Sequence, residues 1–302
     1  MFLLVGNILC NCVFPTDMKA RLTFALLVVS VAARGDTPLA KAIALFQAKD
    51  FPAARAAFEA IAHAEPRNPA ACFYLGLTLE ERGDAHALDD AAPWLEKAVQ
   101  LEPDNATYLA EFGGVSMELA QKNHSLIAAT KGREAMEKAV SLDPDNLDAR
   151  QGLFEYYEQA PWPLGSSEKA ATELDEISRR DPVRAIALRV RLKTDAKDYT
   201  GAFRICDDLL KKNPDDYTAL YQFGRTAAIS GLRLTQGIAC LQKCLTLTPP
   251  SAASPRPTHV WTRIGILQEK LGLSAEARAS YATAVKLDPA NRQASDSLAN
   301  LK

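Results

Sequence analysis

Seven prolines impose a period on this chain. Pro66, Pro103, Pro144, Pro182, Pro214, Pro249 and Pro289 recur at intervals of 32 to 41 residues. Twelve positions before each stands a small residue: Ala54, Ala91, Gly132, Ala170, Ala202, Gly237 and Ala277. Eight positions before each stands, in most copies, a large apolar one: Phe58, Leu95, Met136, Leu174, Cys206, Leu241 and Tyr281. Offsets held this steadily describe a recurring helix. Its small residue lets a neighbour cross closely, and its large residue fills the space beside the crossing. Proline, with no N–H and a fixed φ, stops that helix before the next copy begins. A chain patterned this way folds as a stack of short units, not around one large core.

A second mark precedes most of these helices, an apolar residue followed by glycine. It occurs as Leu75-Gly76, Phe112-Gly113, Phe223-Gly224 and Ile264-Gly265. Glycine inside a helix costs about 1 kcal/mol relative to alanine, so its recurrence points to close helix contact. The composition agrees: 48% of residues are apolar, 24% are charged and only 7% are aromatic. That is enough to bury a core, and alanine supplies much of it. A formal net charge of -2 argues against a general nucleic-acid binder, which needs a basic face.

Together these features resemble the tetratricopeptide repeat, a helix–turn–helix unit. The last copy, Thr258 to Asn291, fits without insertion: Trp261, Ile264-Gly265, Gly272-Leu273, Ala277, Tyr281, Ala284 and Pro289 stand where the family has its consensus. Endings such as Glu102-Pro103-Asp104-Asn105 and Asp143-Pro144-Asp145-Asn146 recur as well. The resemblance implies an all-α, right-handed α-solenoid of about seven repeats over residues 35–291. Residues 292–302 are expected to form a capping helix with Ala294, Leu298 and Leu301 on one face. The unit is lengthened between its helices around residues 84–90, 122–131 and 161–167, which predicts three long loops forming a ridge along one edge. The third, from Ala160 to Ser167, resembles a turn of exported bacterial repeat proteins. The proline-rich stretch 249–257 reads as a slight hinge, and the fifth copy lacks the glycine of its neighbours.

The N-terminus reads as an address. Lys19 and Arg21 form a basic region after Met18, and Leu22 to Ala33 is an apolar run followed by small residues that suit a signal peptidase. That run is shorter than the roughly 20 residues a spanning helix needs. Residues 1–33 are therefore expected to be an extension and signal peptide, and the protein to be periplasmic or secreted. The alternative is an uncleaved membrane tether.

Catalytic chemistry needs converging titratable or nucleophilic groups. His63, His86, His124 and His259 are scattered, with no partner at a metal or triad spacing. Cys206 and Cys244 fall on core positions, and Cys240 lies one turn from Cys244. Free buried thiols are the leading expectation, with pairing of Cys206 to Cys240 or Cys244 left open. No cofactor, no metal site and no catalytic residue is expected.

In this family the first helices line a concave groove that takes an extended peptide or a partner helix. Placed in that register, Phe73, Glu80, Glu81, Glu111, Glu118, Glu155 and Glu158 face inward in the early copies. Arg184, Arg191, Tyr221, Arg225, Arg263 and Lys270 do so in the later ones, relieved by Asp195 and Glu269. The groove is thus expected to be acidic at one end and basic at the other, with Phe73 and Tyr221 as apolar contacts. The paired Asn and Lys/Arg with which some members clamp a carboxylate terminus are missing. A monomeric, non-catalytic scaffold for a protein or peptide partner follows, with a tethered subunit of an envelope complex, or an enzyme with an unrecognised site, as alternatives.

Overall fold

The computed structural model describes residues 37–160, 163–250 and 254–301; among these are fifteen α-helices and no strand. Seven hairpins succeed one another: α1 (Pro38–Gln47) with α2 (Phe51–Ala64), α3 (Pro69–Glu80) with α4 (Ala87–Leu101), α5 (Ala106–Asn123) with α6 (Leu126–Leu142), and α7 (Leu147–Gln159) with α8 (Ser167–Arg180). Then come α9 (Pro182–Asp195) with α10 (Tyr199–Lys212), α11 (Tyr217–Ser230) with α12 (Leu234–Cys244), α13 (Pro257–Lys270) with α14 (Ser274–Leu287), and the single α15 (Arg292–Asn300). The chain divides into two compact units, Met1–Arg180 and Asp181–Lys302. The segment read as a signal peptide lies outside the described residues, as do Pro161 and Trp162 of the third long loop.

The Asn or Asp two residues after five of the seven prolines has a local purpose. Asn68, Asn105, Asn146, Asp216 and Asn291 are the N-caps of α3, α5, α7, α11 and α15. Each side-chain oxygen accepts the backbone N–H three residues on, at 2.9 to 3.2 Å. Asp181 does the same for α9. Such a cap contributes about 1 kcal/mol and fixes where the new helix starts. The proline ending and the acid–amide start are therefore one device for turning the chain.

Packing inside each hairpin explains the two offsets. A Cβ placed on Gly76 would lie 2.7 Å from Leu95 Cγ, on Gly113 2.6 Å from Met136 Cγ, and on Gly224 2.4 Å from Leu241 Cγ. The glycine of the first helix is a notch for the large residue of the second. Met136 is notched twice, since a Cβ on Gly152 of α7 would fall 2.2 Å from its Sδ. In the fifth copy the exchange runs the other way: Val190, of α9, and the smaller Cys206 are both buried, so the missing glycine is offset by a missing bulk. Leu174 is only half-buried, and Ile177 is the fully buried residue of α8. The end of the array is closed by α15, whose Ala294, Leu298 and Leu301 pack with Ala277, Tyr281 and Ala284 of α14.

One of the three expected loops is not a loop. Residues 122–131 are almost wholly helical, because α5 runs on to Asn123 and α6 begins at Leu126. Leu126, Ala128, Ala129 and Lys131 are good helix formers, and Ser125 caps α6 by accepting the Ala128 N–H at 3.2 Å. His124 takes the left-handed turn between them at φ 51°. The hairpin therefore grows longer, leaving Leu126 exposed and Ile127 75% exposed near its tip. Of the other two expected loops, residues 81–86 and the described residues 160 and 163–166 lie outside helices. Lys122 ties the first of these down, bonding Ala85 O and sitting 2.5 Å from Asp89 Oδ2. The proline-rich stretch is likewise anchored, as Tyr217 donates to Pro255 O at 2.5 Å.

Candidate functional site

Within each unit the helices form two layers. Consecutive first helices touch, as α1 with α3 and α5 with α7 in unit 1, and α9 with α11 and α11 with α13 in unit 2. Second helices make no comparable contact with one another. The layer whose members close up is the inner one, so α3, α5 and α7, and separately α9, α11 and α13, present the faces where a partner is expected.

On these helices the charged residues stand in rows. Glu111 and Glu118 on α5, Arg184 and Arg191 on α9, and Arg263 and Lys270 on α13 are each seven positions apart. Seven residues span two turns, about 10.5 Å, so each pair shares a face. Glu80 of α3 and Glu81, its C-cap, are half-buried, and Glu158 near the end of α7 is exposed. Glu155 and Arg225 are almost fully covered, at 9% and 8% exposure. Glu155 accepts Gln151 Nε2 at 2.9 Å. Glu80, Glu81, Glu118, Arg184, Arg191 and Arg225 all have interactions within the chain.

The two aromatics expected as partner contacts are core residues instead. Phe73 is 3% exposed, stacked 4.5 Å from Tyr108 of α5 and edge-on to Tyr74. It joins α3 to α5 and offers no free ring face. Tyr221 is 6% exposed; Arg263 donates to its hydroxyl at 2.8 Å and covers its ring. Periodicity along one helix could not reveal that residues of the neighbouring first helix cover Phe73 and Tyr221.

The acidic and basic residues divide where the units divide. Residues 37–180 carry 24 Asp and Glu against 14 Lys and Arg, a formal charge of -10. Residues 181–302 carry 11 against 18, a formal charge of +7. The near-neutral total thus conceals two units of opposite sign.

Two crevices lie on the second-helix side. One, of about 290 Å³ in unit 1, is lined by Glu137, Tyr157, Lys169 and Glu173 over Val140 and Leu153. Its polar groups are committed: Tyr157 donates to Glu137 at 2.5 Å, and Arg150 pairs with Glu173 at 2.8 Å. Burial and the Glu137 carboxylate hold the Tyr157 hydroxyl well above its usual range. The other, about 420 Å³ in unit 2, is bordered by Phe203, Asp207, Leu232 and Arg233. Arg233 lies over the rings of Phe203 and Phe223 and binds Asp207 through both guanidinium nitrogens. Both are ion-paired structural joints with no nucleophile beside an available base.

Cys72, Cys206, Cys240 and Cys244 are thiols, all but Cys240 buried. Burial pushes Cys206 and Cys244 up to about 12 and Cys240 to about 11. Thiols so placed are packing groups, not nucleophiles. Among the described residues no group of three or more His, Cys, Asp or Glu could hold a metal ion. Nor is any described helix long and apolar enough to cross a membrane.

Two tetratricopeptide-repeat family models match the sequence, one over residues 39–106 and one over residues 258–291. The first spans the hairpins α1–α2 and α3–α4, and the second coincides with the last copy as delimited from its consensus residues. No curated protein matches the chain. Yeast Tom70 superposes with a TM-score of 0.62 at 16% identity, over 91% of this chain and 58% of that one. A tetratricopeptide repeat protein from Parabacteroides merdae gives 0.55 at 17% identity, over 87% and 96%. Human IFIT1 gives 0.50 at 18% identity, over 87% and 62%. At such identities the three agree in fold alone. With the matched segments, the repeated notch and the paired helices all in register, the chain is a tetratricopeptide-repeat protein.

Proposed function

We propose that this protein is a non-catalytic scaffold that holds a protein partner on the inner faces of its first helices, in the cell envelope or outside the cell. The observation that supports the reading is the charge carried by those helices. Acidic side chains on α3, α5 and α7 and basic ones on α9, α11 and α13 suit recognition of a charged polypeptide. Complementary charge sets register and association rate more than raw affinity. The committed crevices and suppressed thiols are consistent with a role other than catalysis. The basic region at Lys19 and Arg21 and the apolar run after it support export, with a monomer released by cleavage near Ala33.

The test is capture from the native envelope fraction with the parent protein and with Arg191→Glu/Lys270→Glu in parallel. A partner retained by the parent, lost by the variant and eluted by salt is the expected result. A partner held equally by both would overturn the inner-face reading. Mass spectrometry of the mature N-terminus decides the export reading: a start near Ala33 or Arg34 is expected, and a retained Met18 would point to the tether.

A further inference from the structure

We infer that the chain holds two protein segments of opposite charge at once, a basic one against the inner face of unit 1 and an acidic one against that of unit 2. This rests on the scaffold reading and divides its binding surface into two independent sites.

The boundary between Arg180 and Asp181 separates two compact bodies and, at the same position, two signs of charge. If every Lys and Arg of residues 37–180 were paired one to one within that stretch, ten carboxylates would be left over, and the same exercise leaves seven cations in unit 2. An excess of that size sets up a field that steers oppositely charged ligands. Each unit also has its own core and its own layer of first helices, built from four hairpins in one case and from three plus α15 in the other. A stack needs about three repeats for stability, and each unit has at least that number. Each unit therefore meets that requirement by itself.

The charge on each inner face has the sign of its unit. Glu80, Glu118 and Glu158 stand on unit 1, and Arg191, Arg263 and Lys270 on unit 2. Glu80, Glu118, Arg191 and Arg263 already interact within the chain. Docking is accordingly an exchange of one charged neighbour for another. Exchanges of this kind discriminate strongly by sign, since a like charge set opposite costs several kcal/mol.

The experiment uses the intact protein with fluorescein-labelled octa-lysine and octa-glutamate, read by anisotropy in 0.15 M salt. Both peptides should bind. Glu80→Lys/Glu118→Lys should weaken octa-lysine at least tenfold and leave octa-glutamate within twofold. Arg191→Glu/Lys270→Glu should do the converse. Outer-face pairs carrying the same charge change, Asp104→Lys/Glu134→Lys and Lys211→Glu/Lys212→Glu, should move either affinity less than threefold. Beads bearing octa-glutamate should retain more labelled octa-lysine with the protein than without it, the protein-free beads measuring the direct attraction between the two peptides. Equal losses from inner and outer pairs, or no binding of one peptide, would overturn the proposal. Protein that stays on the beads without retaining octa-lysine would show one face in use at a time; that also overturns it, while leaving the scaffold reading intact.

Discussion

Gly265 lies directly beneath the ring of Tyr281, so that a Cβ at position 265 would come within 2.6 Å of Tyr281 Cε1. The ring is fully buried and its hydroxyl donates to Glu269 at 2.9 Å, which leaves it no direction in which to retreat. Alanine would raise helix propensity at position 265 by about 1 kcal/mol. Overpacking a filled site costs about 1–3 kcal/mol. The second term is the larger, so Gly265→Ala should lower stability in urea unfolding. Adding Tyr281→Leu should recover part of the loss, because residues in contact do not act additively. Gly265→Leu and Ala202→Leu should each cost at least as much as Gly265→Ala, and melting like the parent would contradict the register.

Arg150 is the buried cation of unit 1. Its Nε donates to Pro144 O at 2.7 Å and its Nη1 to Glu173 at 2.8 Å. Removing one partner of a buried pair leaves the other charge uncompensated, at about 3–5 kcal/mol. Arg150→Ala should fall in that range. Arg150→Lys should recover only part of the loss, since an ammonium cannot reproduce the two-directional fork. Chemical denaturation of the two variants measures the difference.

Thiol chemistry gives a prediction with a defined sign. Burial raises Cys206 and Cys244 to about 12, so the folded state favours the neutral thiol. An unfolded thiol ionises near about 8.5. The stability these groups contribute is complete below that value and is lost as pH climbs toward about 12. Unfolding free energy should fall as pH rises above about 9, and less so in Cys206→Ala/Cys244→Ala measured against its own neutral-pH value. Native labelling by a thiol reagent should stay slow at pH 9, with Cys240, the half-buried one, reacting first.

Lys122 reaches back to Asp89 and to Ala85 O from the lengthened α5. The contact is partly exposed, and pairs of that kind contribute roughly 0–1 kcal/mol. Lys122→Ala should therefore leave global stability nearly unchanged. Amide exchange in residues 82–90 should nevertheless become faster, because the staple restrains that loop locally. Unaltered exchange there would show the loop to be held by Arg82, Asp84 and Asp90 alone.

The repeated architecture was legible in the sequence because each offset has one physical cause. The residue twelve before the proline is small at a crossing, the residue eight before it fills a glycine notch in four copies, and the Asn or Asp two after it is a cap in five. The lengthened third hairpin was not legible, because residues inserted between helices read alike whether they coil or extend the helices that flank them. The inner faces were only partly legible. Helical spacing assigned Phe73 and Tyr221 to faces of α3 and α11 expected to meet a partner, but their burial depends on Tyr108 and Arg263, which lie 35 and 42 residues away. The change of charge sign could be read from residue counts once the boundary at Arg180 was known.

The notch of glycine against a bulky residue has a consequence for how such a chain can change length. Four of the interlocks close within one hairpin, Leu95 on Gly76, Met136 on Gly113, Leu241 on Gly224 and Tyr281 on Gly265, and each large residue is set from the outgoing end of the second helix. Residues can therefore be added at the hairpin tip without displacing the meshing faces, as a bolt may be lengthened beyond its thread. That is one way the prolines come to be spaced at anything from 32 to 41 residues while the position twelve before each stays small. The tips are free to vary in reach, and the long hairpin that carries Ile127 clear of its neighbours is where this chain has used that freedom most.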